Sequence, residues 1–363
     1  MNILWINHRD PRHPNAGGAE VRFREIARRL VKIGHEVTLL CENVNELPPE
    51  EVLNGIRIKR IGDKASIHIL ALKYVSKFGC KYDLIIDDIA HAVPWFSPIV
   101  TRTPVVAQIH HVHQEVLYIE LPKHIAFFIA KLERTIPKVY SYIITVSRST
   151  KEELISKFGI NRKNIFVVPN GIDLTRFKPG PKDSKPTILW IGRIKKYKNL
   201  EDLLYAYKMI EYVVKNTQLI VIGTGDYEPR IRELSKKLRI KNIKFLGRVS
   251  EEEKIVWMQR AWVVVSTSIV EGWGMTITEA AACGTPAVAY NVPGLRDSII
   301  HMKTGILVEP RNLKELVNAI TSLLIDENMR TKLSENAYRY SQRLDWDLIA
   351  CTFARIIEKI AYR

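Results

Sequence analysis

Residues Glu271 to Tyr290 read EGWGMTITEAAACGTPAVAY, which is a loop, a helix, a stop and a strand in succession. Gly272 and Gly274 permit turns and close backbone approach that side chains would block. From about Met275 the small residues of TITEAAAC predict a helix, ended by Gly284 and followed by Pro286 and the strand AVAY. The first N–H groups of such a helix have no acceptors within it, so Gly272, Gly274, Met275 and Thr276 surround a place where a diphosphate can dock. Glu271 lies just before that place and Glu279 one turn inside the helix. Two carboxylates could then touch one ligand, and a carboxylate accepts hydrogen bonds from sugar hydroxyls. Taken alone, Glu271 could equally offset the helix dipole and Glu279 be a solvated helix residue.

Outward from this unit the same alternation repeats. The second half carries the strands TILWIG, QLIVIG, IKFLG, WVVVST, AVAY and GILVEP with helical patterns between them. The first half carries NILWIN, EVTLLC, GIRIKRI, DLIID, PVVAQI, YIITV and IFVVP, with a helix from about Glu20 to Ile33 stopped by Gly34. Short buried strands alternating with helices imply mostly parallel sheets covered on both faces. The expected fold class is therefore α/β, with two Rossmann-like doubly wound domains facing a central cleft. The predicted boundaries are a first domain over 1–171, a linker over 172–186, marked by Pro179, Gly180, Pro181 and Pro186, a second domain over 187–345, and a terminal helix over 346–363. Ligands of such sheets bind beyond the carboxyl ends of the strands, which makes the cleft the expected site.

Composition limits the function. The 363 residues carry a formal net charge of +16, spread over both halves. Charge alone admits a nucleic-acid partner, but no zinc-finger spacing, RNA-binding aromatic signature or basic tail accompanies it, so none is expected. Cys41, Cys80, Cys283 and Cys351 are scattered, which offers neither a zinc spacing nor a disulfide framework and fits a reducing compartment. No apolar run approaches the roughly 18 to 20 residues that span a bilayer. A strand begins at Asn2, which leaves no leader segment to expect, and the predicted location is cytoplasmic.

The spacing from Glu271 to Glu279 resembles the E-x7-E signature of the retaining glycosyltransferases of family 4, which have the GT-B fold. The resemblance extends over essentially the whole chain. It implies that Glu271 faces the donor sugar and that Glu279 holds the ribose. Gly192-Arg193-Ile194-Lys195-Lys196-Tyr197-Lys198-Asn199 is similar to the family's GR…KN motif, which implies that Arg193 and Lys198 hold the donor diphosphate, while Lys195 and Lys196 read as solvated. Two fixed cations and helix N–H groups can stabilise charge on a departing phosphate, so the expected cofactor set is empty and no metal is required. Gly17-Gly18-Ala19-Glu20 looks like the family's glycine loop, although two glycines also fit an ordinary strand-to-helix turn. PVVAQIHHVHQEV places His110, His111 and His113 at a strand end. Zinc there lacks a fourth partner. The family's histidine at that strand aligns best with His110, followed by His111 and His113, and is implied to contact the sugar. The VPNGID turn over Val168–Asp173 resembles the family's interdomain segment. IGTGD and FLGRV put Gly223, Gly225, Gly247, Arg248 and Val249 where the family approaches phosphate and base, positions that simple turns would also explain. The family further implies that the terminal helix returns to the first domain. Two places depart from its pattern: Pro293-Gly294 with Asp297 replace a Gly-Gly pair and Glu, and Thr267 stands where Pro is common.

The expected activity is thus retaining transfer of a sugar from a nucleotide diphosphate sugar, UDP- or GDP-linked, to a hydroxyl of a glycan or lipid-linked acceptor. Hydrolytic retention uses two carboxylates flanking the bond. Here both glutamates come from one element, which favours front-face attack with the departing phosphate taking the acceptor proton. A dinucleotide-dependent oxidoreductase requires a GxGxxG that neither half supplies. A sugar-nucleotide epimerase on the same architecture stays open, while the full acidic and basic set argues against a non-catalytic nucleotide-sugar binder. Finally, Pro122 to Ile136 sets Ile125, Phe128, Ile129, Leu132 and Ile136 on one helical stripe and Lys123, Lys131 and Arg134 on another face with Phe127, while Ser66 to Phe78 is apolar except at Lys73 and Lys77. Either both helices pack on the first sheet, or they form a peripheral site for an anionic membrane surface on its inner face.

Overall fold

The computed structural model describes residues 1–362, in two compact units. Unit 1 is Met1–Gly171 joined by the last helix of the chain, and unit 2 is Ile172–Asp345. Residues 173–186 carry neither helix nor strand and belong to unit 2, where Phe177 is buried.

Unit 1 holds β1 (Asn2–Ile6), β2 (Glu36–Cys41), β3 (Glu50–Leu53), β4 (Ile56–Arg60), β5 (Leu84–Ile89), β6 (Val105–Ile109), β7 (Tyr142–Thr145) and β8 (Ile165–Val167). They form one sheet in the order β3-β4-β2-β1-β5-β6-β7-β8. Every pairing is parallel except β3 with β4. β3 escapes sequence patterning because EEVL is short, charged and exposed at the edge. Its turn, Asn54-Gly55, has positive φ at both residues, as a tight hairpin requires. β5 and β6 are buried along their whole length and β1 from Ile3 to Ile6, as expected of central strands covered on both faces.

The helix Gly18–Lys32 buries Phe23, Ile26, Ala27 and Leu30. The terminal helix Trp346–Ala361 belongs to the same unit. Its buried residues include Ile349, Phe353, Ile357 and Ile360, and Phe353 stacks on Trp5 with ring centroids 5.4 Å apart. Arg29 of the first of these helices pairs with Asp347 of the second.

The helix Lys123–Glu133 departs from simple hydrophobic patterning. It turns inward Ala126, Ala130 and Glu133, and the two alanines pack with Ala92 and Leu117. Glu133 fixes this orientation: its carboxylate accepts from the His113 backbone N–H (2.7 Å) and from Gln114 Nε2 (2.7 Å). Phe127 and Phe128 are consequently 50% and 72% exposed, and Lys131 Nζ lies 4.4 Å from the Phe127 ring centre. By contrast, the helix Ile67–Phe78 packs Ile67, Ala71 and Val75 into the core of the unit. No helix among the described residues is long and apolar enough to cross a membrane.

Unit 2 holds β9 (Thr187–Ile191), β10 (Gln218–Ile222), β11 (Ile243–Gly247), β12 (Val263–Ser266), β13 (Ala287–Tyr290) and β14 (Gly305–Val308). They form an all-parallel sheet in the order β11-β10-β9-β12-β13-β14. The order reverses direction at β9, and the loops after β9 and β12 therefore emerge side by side at the switch point where doubly wound sheets take ligands.

Candidate active site

In unit 2 these two neighbouring loops are stitched together. The Ile269 N–H donates to the Tyr197 carbonyl (2.9 Å), and Thr267 Oγ1 donates to the Lys198 carbonyl (3.2 Å). Thr267 thus supplies a tether that a proline could not, which accounts for that departure from the family pattern. The stitching brings Lys198 and Glu271 into an ion pair, and Ser268 Oγ sits 3.2 Å from the same Glu271 oxygen. Burial pulls the Lys198 ammonium toward deprotonation, but the Glu271 carboxylate outweighs it and raises its pKa. Arg193, on the same loop, is exposed.

Glycines let this loop sit where it does. The Gly192 and Ile194 N–H groups donate to the Ile222 and Thr224 carbonyls (3.0 and 2.9 Å). A Cβ on Gly223 would lie 1.9 Å from the Gly192 oxygen, and one on Gly225 would lie 2.1 Å from the Ile194 oxygen. The structure therefore gives Gly223 and Gly225 a place beneath the Arg193 loop, where the sequence suggested an approach to a ligand. Lys195 pairs with Asp226 across the same junction (2.5 Å). At the end of β11, the Gly247 carbonyl accepts from the Gly223 N–H (2.7 Å), Arg248 is exposed and Val249 is half-buried.

After Glu271, Gly272 leads to Trp273, which is buried, and to Gly274, which caps the helix Met275–Ala282 at φ +80°. The Met275 and Thr276 N–H groups open that helix and have no acceptor within it. Gly294 supports the loop from behind, since a Cβ there would meet the Glu271 carbonyl oxygen at 2.3 Å. Its N–H donates to Asp297 at 3.3 Å. The Pro293-Gly294 and Asp297 departures thus belong to the support of Glu271. Glu279 is buried and paired with Lys254 at 3.0 Å, so the reading of it as a solvated residue is excluded. Burial raises its pKa, with the Lys254 ammonium acting against that shift. Lys254 also pairs with Glu251 (2.6 Å) and lies over the Phe177 ring. Sequence reasoning missed Lys254, which sits in a charged helix, EEEKIVWMQR, with no motif to single it out.

In unit 1 the loop after β1 is held by a fully buried Asp10–Arg60 ion pair. Gly17 and Gly18 then start the helix, and the Glu20 carboxylate accepts from the Gly17 N–H at 2.6 Å. Glu20 therefore caps the helix.

The three histidines after β6 separate into different environments. His113 is committed to the fold: Nδ1 lies 3.1 Å from Glu133 and Nε2 lies 3.2 Å from the Ala90 carbonyl. The His111 ring lies against it, tilted by 36°, with ring centres 4.0 Å apart. His110 Nε2 instead lies 2.7 Å from Asp88 Oδ1, a carboxylate with no exposed surface. Of the three candidates for the site histidine, His113 is the one the structure removes. Among the described residues, no group of three or more His, Cys, Asp or Glu side chains is arranged to hold a metal ion.

Comparison with known proteins identifies the family and the fold. Residues 171–340 match the model of glycosyl transferases group 1, and residues 16–176 match that of glycosyltransferase family 4. An uncharacterized glycosyltransferase of Methanocaldococcus jannaschii is 30% identical over 92% of each chain. A glycogen synthase of Mycobacterium tuberculosis is 27% identical over 98% of this chain and 94% of its own. Among solved structures, a sucrose-phosphate synthase of Thermosynechococcus elongatus superimposes with a TM-score of 0.85 at 23% identity, covering 99% of each chain. Anabaena HepE, solved with UDP-glucose, gives 0.79 at 20% identity, covering 99% of this chain and all of its own.

Proposed function

The chain belongs to the family 4 glycosyltransferases of the GT-B fold, and from that premise we propose that it transfers a sugar, with retention, from a UDP- or GDP-sugar to an acceptor hydroxyl. The observation that carries this reading is the Lys198–Glu271 pair standing at the mouth of the helix Met275–Ala282. In this reading one carboxylate, one cation and the first N–H groups of the helix act on the same ligand. A diphosphate bound at this helix start is met by N–H donors, by Lys198 and by the exposed Arg193, which together stabilise the negative charge that grows as the leaving group departs. Glu271 orients sugar hydroxyls. Glu279, held by Lys254, is assigned the ribose.

This arrangement supports front-face displacement in which the departing phosphate takes the acceptor proton. The charge stabilisation comes from the protein, so we assign no metal to the reaction. To unit 1 we assign the acceptor, a glycan or lipid-linked hydroxyl compound, and to His110 a sugar hydroxyl. The exposed Phe127 and Phe128 beside Lys123, Lys131 and Arg134 support a peripheral position on an anionic membrane surface, in the cytoplasm.

The test is incubation with radiolabelled UDP- and GDP-sugars, with and without EDTA, and with separation of transferred sugar, epimerised donor and unchanged donor. Transfer that survives EDTA supports the reading. An epimerised donor points instead to an epimerase, and activity that is lost on chelation and restored by magnesium or manganese contradicts the metal-free assignment.

A further inference from the structure

Behind His110 lies a buried chain of hydrogen bonds whose direction is fixed from one end. Arg22 has no exposed surface, and its guanidinium can only donate. Its Nε is 3.1 Å from Gln108 Oε1, and its Nη1 donates to the Pro169 carbonyl (2.8 Å) and to Asn170 Oδ1 (3.0 Å). Gln108 must therefore present its oxygen to Arg22 and its NH2 to Asp88, where Nε2 lies 2.8 Å from Oδ2. The Trp5 indole N–H, also a pure donor, reaches the same Asp88 oxygen at 2.9 Å. Asp88 thus has acceptor duty on one oxygen already, and its other oxygen faces His110 Nε2. Asp88 in turn supports the buried charge of Arg22: burial lowers the guanidinium pKa to about 10, with the Asp88 carboxylate acting to raise it.

We propose that Asp88, oriented by Arg22 through Gln108, is a positioning residue that holds His110 as the Nε2–H tautomer and so leaves Nδ1 as a hydrogen-bond acceptor for a substrate hydroxyl. Both oxygens of Asp88 and both ends of the Gln108 amide are engaged, so nothing in the chain can reverse without breaking a buried bond. An imidazole held this way recognises a group that donates, such as a sugar hydroxyl, and is unsuited to a phosphate oxygen. The inference rests on the assignment of His110 to the sugar-transfer site.

Asp88→Asn tests it sharply. The change is isosteric, but Trp5 and Gln108 both require the oxygen of the new amide, so its NH2 is turned to His110 Nε2 and the imidazole must become the Nδ1–H tautomer. Nitrogen-15 NMR of the imidazoles, with His110→Ala to identify the resonance, should show Nε2–H in the wild type and Nδ1–H in Asp88→Asn. Turnover of the nucleotide sugar should fall at least ten-fold in Asp88→Asn with donor KM within two-fold, and Asp88→Asn combined with His110→Ala should be no worse than His110→Ala alone. A purely structural role for Asp88 predicts unchanged tautomer and turnover in Asp88→Asn. Nδ1–H in the wild-type protein, or Nε2–H with wild-type turnover in the variant, overturns the inference, and the wild-type measurement stands even if the variant does not fold. Wild-type turnover in His110→Ala would instead overturn the assignment of His110 to the site.

Discussion

Lys198 and Glu271, seventy-three residues apart in sequence, meet as an ion pair because two hydrogen bonds hold their loops side by side. The pair is shielded, with about a fifth or less of either side chain exposed. Removing one member strands the other. Lys198→Met should lower stability by about 2 kcal/mol, in the range of a charge-assisted hydrogen bond, and reduce transfer at least a hundred-fold. Glu271→Gln keeps the shape and should lose turnover with a smaller stability change. Chemical denaturation alongside turnover checks both, and wild-type turnover in either variant would remove the pair from the site.

Gly294 provides a second handle on the same carboxylate. Gly294→Ala puts a methyl group 2.3 Å from the Glu271 carbonyl oxygen, at a position with φ +83°. The loop must move, so at least a ten-fold loss of turnover is expected together with about 1–3 kcal/mol of destabilisation. A variant with native turnover would show that the exact placement of Glu271 is unimportant.

Acid should act on unit 1 through His8. Burial, then the neighbouring His68, lowers the His8 pKa from 6.5 to about 3. The folded-state pKa is thus below the unfolded value, so the unfolded chain binds the extra proton first. The stability contributed by neutral His8 is present above pH 6.5 and is lost as pH falls from 6.5 toward 3, by up to ~5 kcal/mol. Asp87 acts in the opposite sense: burial raises its pKa to about 6, so its protonation below that value favours the fold. Denaturation midpoints measured between pH 7 and 4.5 should fall more steeply in the wild type than in His8→Phe. Parallel curves would contradict this account of acid sensitivity.

Membrane attachment is tested by vesicle co-sedimentation. Each basic residue near an anionic leaflet contributes about 1 kcal/mol. Binding should rise with the fraction of anionic lipid, weaken in high salt, and fall in Lys131→Glu with Arg134→Glu and in Phe128→Ser. Equal sedimentation with neutral and anionic vesicles would remove the membrane from the account.

The alternation of short apolar strands with helices is enough to foretell thirteen of the fourteen strands among the described residues and the two mostly parallel sheets, because buried strands such as LIID and WVVV announce themselves. β3 did not, since an exposed, acidic edge strand has no apolar signature. Glu271 and Lys198 in unit 2 and His110 in unit 1 are carried by local motifs and so are readable as candidates. Those recruited from elsewhere were hidden: Asp88, Gln108 and Arg22 sit in strand and helix patterns that read as structure, and only the parallel register that sets Asp88 beside Gln108 shows what they do together. Gly223 and Gly225 were legible as special positions, yet their reason, the passage of the Arg193 loop over them, is tertiary. In the helix Lys123–Glu133 hydrophobicity misled, because the commitment of Glu133 to His113 decides which face is buried.

The central claim is retaining sugar transfer from a nucleotide diphosphate sugar, and the anomeric configuration of the product tests it most directly. The protein should be incubated with UDP- and GDP-sugars of α configuration and a panel of glycan and lipid-like alcohols, and the anomeric proton of the new glycoside followed by NMR from the first turnovers. The account predicts an α-glycoside as the initial product. An initial β-glycoside, or conversion of the donor with no glycoside formed, would contradict it.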